Sequence, residues 1–182
     1  MQVFAIFADV RYINHQIMSQ DNRRFHSPSK GIMNFSDVIG DICGYMREND
    51  KYNYEVVVGT DSQVYTRTDF VTAVVVRRVG AGGRYFWTRD QRDNHKTLRE
   101  RIYMETLKSL EVAGIVSKEL YGSLESGGGF KDFNIEIHVD IGEVGPTREM
   151  IKEVVGMVRG NGYEVKIKPF SFGAFVVADH HT

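Results

Sequence analysis

Cysteine is nearly missing from this chain: Cys43 stands alone among 182 residues. No internal disulfide can form, and redox chemistry is excluded as the main activity. The residue falls within an apolar pattern of helical spacing, Phe35–Met46, where a small thiol serves packing. No apolar run approaches the ~18 residues that a membrane-spanning helix needs. The opening stretch Val3–Val10 is briefly apolar, but Asp9 interrupts it and no basic region precedes it, so no secretory leader is expected. A cytoplasmic protein follows. Charge of one sign is also lacking, with 23 basic and 24 acidic residues and a net charge of −1. Wholesale nonspecific coating of nucleic acid needs clustered cations in excess, and that is not the character of the whole chain.

What is present is ordinary for one globular domain: 42% hydrophobic and 26% charged residues. The length supports one core and not two. Residues 1–24 carry no sustained period and are read as an N-terminal extension to a domain spanning 25–182. Ser36 is placed to cap a helix whose stripe is Val38, Ile39, Ile42 and Met46. Tyr54–Gly59 reads as a Val-rich strand that Gly59 stops, with Asp61 just beyond it and a loop through Ser62–Asp69. Phe70–Val79 and Arg84–Thr88 follow as strands around the Gly80–Gly83 turn, which makes an antiparallel meander. Thr97 with Glu100 matches a capping box and opens a long helix whose inward stripe is Leu98, Ile102, Glu105, Ser109, Val112 and Val116. Glu100 is accounted for by the cap, so chemistry falls to Glu105.

Gly127–Gly129 lacks the Lys-Ser/Thr and the following helix of a phosphate loop, and is read as a connection. Phe133–Asp140 alternates as a strand with Asp140 at its end. Gly142 and Gly145 bracket a turn, Pro146 begins a helix with the stripe Ile151, Val154, Val155 and Val158, and Gly160–Gly162 stops it. Tyr163–Lys168 is a last strand, ended by Pro169. Phe172–His180 then forms a helix with Phe172, Phe175, Val176 and Asp179 on one face. The order is helix, three meandering strands, helix, strand, helix, strand, helix. It predicts an α/β fold: a mixed five-stranded sheet, three antiparallel strands then two parallel, with helices on both faces.

Asp61, Glu105, Asp140 and Asp179 are acids set against apolar runs. Gathering four carboxylates in one place is costly without cations, so their convergence would call for bound ions. Each also has a plainer reading: Asp61 and Asp140 as turn residues beside glycines, Asp179 as a solvated residue near the end. Between Arg77 and Arg101 eight basic residues face three acidic ones, with Tyr85, Phe86 and Trp87 interleaved. The stretch reads either as a phosphate-tracking surface with stacking groups or as a solvated strand pair whose aromatics face the core.

The element order resembles the ribonuclease H fold, in which the first strand, first core helix, fourth strand and last helix each give one carboxylate. The segments Gly59-Thr60-Asp61-Ser62-Gln63, Arg101-Ile102 with Glu105, His138-Val139-Asp140-Ile141-Gly142, Gly145-Pro146-Thr147, Lys168-Pro169 and Ala178-Asp179 are similar to motifs of a small bacterial family of ribonuclease H-like predicted nucleases. The resemblance covers about Phe25 to the C-terminus. It implies a divalent-metal-dependent nuclease acting on RNA, RNA–DNA hybrid or structured DNA. Asp61, Glu105, Asp140 and Asp179 would hold two magnesium or manganese ions, hard cations suited to carboxylate oxygens. His180 beside Asp179 is a candidate proton shuttle, and Ser62, Gln63, Arg89 and Arg92 are candidate substrate contacts. His138 is read as a satisfied core histidine and His181 as tail. A proofreading exonuclease is disfavoured because Gln63 stands where a second acid is needed. A sugar-kinase or actin-type site would need a second domain. The competing classes are a non-catalytic nucleic-acid-binding module that keeps the fold and, lower, a phosphatase or nucleotidase on small substrates.

Overall fold

The computed structural model describes residues 22–92, 97–126, 133–171, 177, 178, 180 and 181. Three long strands form its centre: β3 (Tyr54–Val64) and β4 (Thr68–Arg78), both rich in β-branched residues, and β5 (Gly83–Arg92), which carries the aromatic run Tyr85–Trp87. Such side chains pack well on a pleated surface that is covered on both sides. The strands pair antiparallel as a meander. The long helix α2 (Leu98–Ser126) then returns the chain, and β6 (Phe133–His138) and β7 (Glu164–Lys166) add in parallel on the other edge of β3. The expected three antiparallel strands followed by two parallel ones are therefore present.

The sheet has seven strands and not five, because β1 (Arg24–Ser27) and β2 (Gly31–Asn34) form a hairpin beyond β5. The full order is β2-β1-β5-β4-β3-β6-β7. Strands of four residues are too short to show an alternating signal. Gly31, with φ of 72°, supplies the left-handed backbone that this hairpin requires.

Other expected boundaries shift for identifiable reasons. β3 does not stop at Gly59, because β4 pairs every residue as far as Val64↔Thr68. Asp61 and Ser62 are thus strand residues on opposite faces, and the turn shrinks to residues 65–67. Helix α1 (Phe35–Arg47) is capped by Asn34, whose side-chain oxygen accepts from the Asp37 amide at 2.9 Å. Ser36 donates to that same oxygen at 2.7 Å. The helix after Pro146 starts late: a 3-10 turn at Arg148–Met150 leads into α3 (Ile151–Gly160). The glycine-rich connection at Gly127–Gly129 lies outside the described residues, as does most of the expected C-terminal helix; Val177, Ala178, His180 and His181 are helical.

The core lies between one sheet face and the three helices. Val56, Val58, Val74, Val76, Phe86, Ile135 and Ile137 meet Val38, Ile42 and Met46 of α1, Val112, Val116 and Leu120 of α2, and Val154 and Val158 of α3. The opposite face carries a smaller cluster, Val57, Val71 and Ala73, covered by Ala178 with Val177 and Trp87 against it. Phe86 is fully buried in the larger cluster. Phe86→Ala is expected to cost about 3–5 kcal/mol of unfolding free energy, read from the urea midpoint. A loss below about 1 kcal/mol would contradict this account of the core.

Candidate metal centre

The parallel ladder runs from Tyr54↔Phe133 to Gly59↔His138. Carried two residues further, that register sets Asp61 of β3 level with Asp140, just beyond β6. Alternation puts Val56 and Val58 on the helix-covered face and Val57, Gly59 and Asp61 on the other. His138 and, continuing the alternation, Asp140 share that second face. The register thus brings Asp61, within β3, and Asp140, in the segment after β6, to the same level of that face.

Glu105 approaches from the first face. The capping box that opens α2 is formed in both directions: the Thr97 amide donates to Glu100 Oε2 at 2.8 Å and the Glu100 amide to Thr97 Oγ1 at 3.2 Å. The helical phase this sets turns Glu105 inward, where it is 5% exposed. Around it the apolar interior gives way to a polar seam. Ser62 donates to Glu105 Oε1 at 2.5 Å, and the Ser109 hydroxyl lies 2.9 Å from Thr60 Oγ1, which pairs with Thr72 Oγ1 at 2.9 Å. Arg101, one helical turn before Glu105, donates to the Ser62 carbonyl at 3.1 Å and to Ser62 Oγ at 3.2 Å. Beyond Gly59 the ladder to β6 has ended, while β4 still pairs Thr60–Val64. That opened edge of β3 is where carboxylates from the two faces act on each other.

Burial pushes the Glu105 carboxyl up to about 7; the Ser62 hydrogen bond opposes this, the charge of Asp61 adds to it, Arg101 opposes it and Asp140 adds to it. Asp61 and Asp140 thus both lie within electrostatic reach of Glu105. Asp140 is 22% exposed, and the Lys168 ammonium lies 2.6 Å from its Oδ1. The contact is a close ion pair without hydrogen-bond alignment, and among the described residues that buried oxygen accepts no aligned hydrogen bond. That oxygen is a hard donor of the kind a divalent cation takes, and in this structure the cation beside it is the Lys168 ammonium. Among the described residues, no three acid, histidine or cysteine side chains are yet gathered closely enough to hold an ion. Asp179, the expected fourth ligand, lies outside the described residues.

The other expected residues are dispersed. Ser62 is buried with its hydroxyl spent on Glu105, while Gln63 is exposed on the next position of the strand. Arg89 holds the C-terminal segment by donating to the His181 carbonyl, and its guanidinium is 3.5 Å from Asp69. Arg92 is exposed and pairs with Asp90 at 3.1 Å. Both arginines line a cavity of about 330 Å³ between β4, β5 and α2, with Phe70, Thr88 and Lys108. Arg78 and Arg84, at the far end of the sheet, are tied to Glu48 and Tyr45, so the basic run does not form one surface. His138 is buried, with Nε2 3.3 Å from Glu136 Oε2; burial holds it below the usual histidine range against the pull of Glu136. His180 is exposed. His181, read from sequence as tail, stacks on Trp87 at 4.5 Å, and His26 stacks on the same indole at 4.2 Å. The sequence-level signal for that sandwich was the aromatic cluster at Tyr85–Trp87. For Arg101 it was the four-residue spacing to Glu105.

A family model described as ribonuclease H-like matches residues 37–182. The chain belongs to that family. It is also 34% identical over 174 residues to the uncharacterized protein YkuK of Bacillus subtilis (strain 168), covering 89% of this chain and 98% of that protein. No solved structure matches. The ribonuclease H-like fold is one that supports nucleic-acid binding, and no helix among the described residues is long and apolar enough to cross a membrane.

The Glu105 proton has a stability consequence. Its folded value, about 7, lies above the ordinary 4.5, so the native state holds the proton more tightly than the unfolded chain. That contribution is present in full below about pH 4.5 and is lost as pH rises through about 7. In chelator at about pH 8, Glu105→Gln is expected to be more stable than the parent by roughly 3 kcal/mol, the difference vanishing toward pH 4. Parallel stability curves across that range would contradict the placement of Glu105.

Proposed function

We propose that this ribonuclease H-like chain is a divalent-metal-dependent nuclease that hydrolyses phosphodiester bonds in RNA, RNA–DNA hybrid or structured DNA. The observation that carries this reading is the electrostatic convergence of Asp61, Glu105 and Asp140 at one end of the central strands. Asp61 and Asp140 would hold the ions, with Glu105 and Asp179 completing the set. Two magnesium or manganese ions, when bound, supply an activated water and charge stabilisation of the leaving oxygen. The Glu105 carboxyl accepts from Ser62, which Arg101 holds in turn through its carbonyl and hydroxyl oxygens. A carboxyl with a pKa near 7 binds an ion only after giving up its proton, which couples ion uptake to pH. His180, exposed beside Asp179, is the proton carrier in this scheme, and Gln63, Arg89 and Arg92 are substrate contacts.

A second reading has its own observation. With no three ligating side chains gathered among the described residues, the same fold would serve as a nucleic-acid-binding module without cleavage.

The deciding experiment compares the parent with Asp61→Asn and Asp140→Asn on a panel of RNA, hybrid and structured DNA substrates in manganese. Each variant is expected to lose at least about 100-fold in cleavage rate. Asp61→Asn should match or exceed the parent in thermal midpoint without metal, because it relieves repulsion on Glu105. Absence of cleavage by the parent, or full activity in Asp61→Asn, would sink the nuclease reading.

A further inference from the structure

Asp140 has a cationic neighbour whose path is set by the backbone around it. The Lys168 amide donates to the Ile141 carbonyl at 2.9 Å, which ties the lysine to the residue after Asp140. A Cβ on Gly142 would stand 3.2 Å from Lys168 Cβ and 3.8 Å from Cδ. The missing side chain at Gly142 is what lets the lysine stem lie along the 141–142 backbone and bring its ammonium to 2.6 Å from Asp140 Oδ1. The next pair along the same two strands, Lys166 with Glu136, is looser at 3.8 Å and lies away from Asp61.

We infer that Lys168 is a further functional residue of this site: it is the counter-cation of Asp140 in the ion-free protein, and once an ion takes Asp140 its released ammonium binds a phosphate of the nucleic acid. This rests on the metal-dependent reading above. A half-exposed ion pair adds little stability, so neutralising Asp140 until a stronger cation arrives explains the contact better than structural cement does. A divalent ion outcompetes a single ammonium for a carboxylate oxygen that has no aligned hydrogen bond. Lys168 is 51% exposed, so its ammonium presents a solvent-facing side to an incoming phosphodiester. Phe170, two residues on and 67% exposed, offers a neighbouring base a stacking face.

Calorimetric titration of the full chain with manganese separates the possibilities. Lys168→Met is expected to bind manganese about fivefold more tightly than the parent, having lost the competing cation, while Lys168→Arg stays near the parent. In calcium, Lys168→Met should bind a labelled oligonucleotide more weakly, with the slope of log affinity against log salt reduced by about one. Both variants should keep the parent's melting midpoint. Equal manganese affinity in the parent and Lys168→Met, or an unchanged salt slope, overturns the inference and leaves the nuclease reading standing. A parent that binds no manganese overturns both.

Discussion

The placement of the acids in this molecule depends on one pairing register, that of β6 against β3. Parallel strands have no tight turn to fix their alignment, so the hydrophobic pattern must do it: Val56 and Val58 share a face with Ile135 and Ile137, and a slip of one residue would turn that set into the opposite face. The register that buries these side chains is the one that sets Asp61 level with Asp140. Core packing and the relative placement of these two acids are therefore one constraint, although Asp140 itself lies in the irregular segment that follows β6.

The second constraint is electrostatic. Glu105 enters from the other face through the helical phase of α2, into a seam of hydroxyls in place of an apolar interior. Burial and the neighbouring aspartates favour its neutral form, while Ser62 and Arg101 favour the charged one. The balance rests near neutrality, so the protonation of Glu105 responds to small changes in its surroundings.

Much of this was legible in the sequence because the strongest signals are local and periodic. The stripe on α2 from Ile102 to Val116, the capping box at Thr97 and Glu100, and the Val-rich meander appear where their spacing placed them, whereas Leu98, in the first turn of α2, is exposed and not part of the inward face. Of the four acids, Asp140 follows directly on its strand and Glu105 faces inward from its helix, while Asp61 lies within β3 and not at its end. Contacts made at long range were less visible. The β1 and β2 hairpin is too short to carry a period, and β3 outlasts Gly59 only because β4 supplies partners that sequence spacing does not reveal. The basic run around Arg84 looked like one surface in one dimension, but strand alternation and the salt bridges to α1 distribute it. Ser62 was read as a loop residue and, with Gln63, as a candidate substrate contact; as a strand residue it donates to Glu105 of α2 instead.

The most direct test of the central claim is a crystal soaked in manganese and measured at its absorption edge. The account predicts anomalous density at the open edge of β3, with Asp61 and Asp140 oxygens at about 2.0–2.2 Å from the ion and the Glu105 carboxylate turned toward it. Manganese bound only elsewhere, with Asp61 and Asp140 directed to separate surfaces, would contradict it.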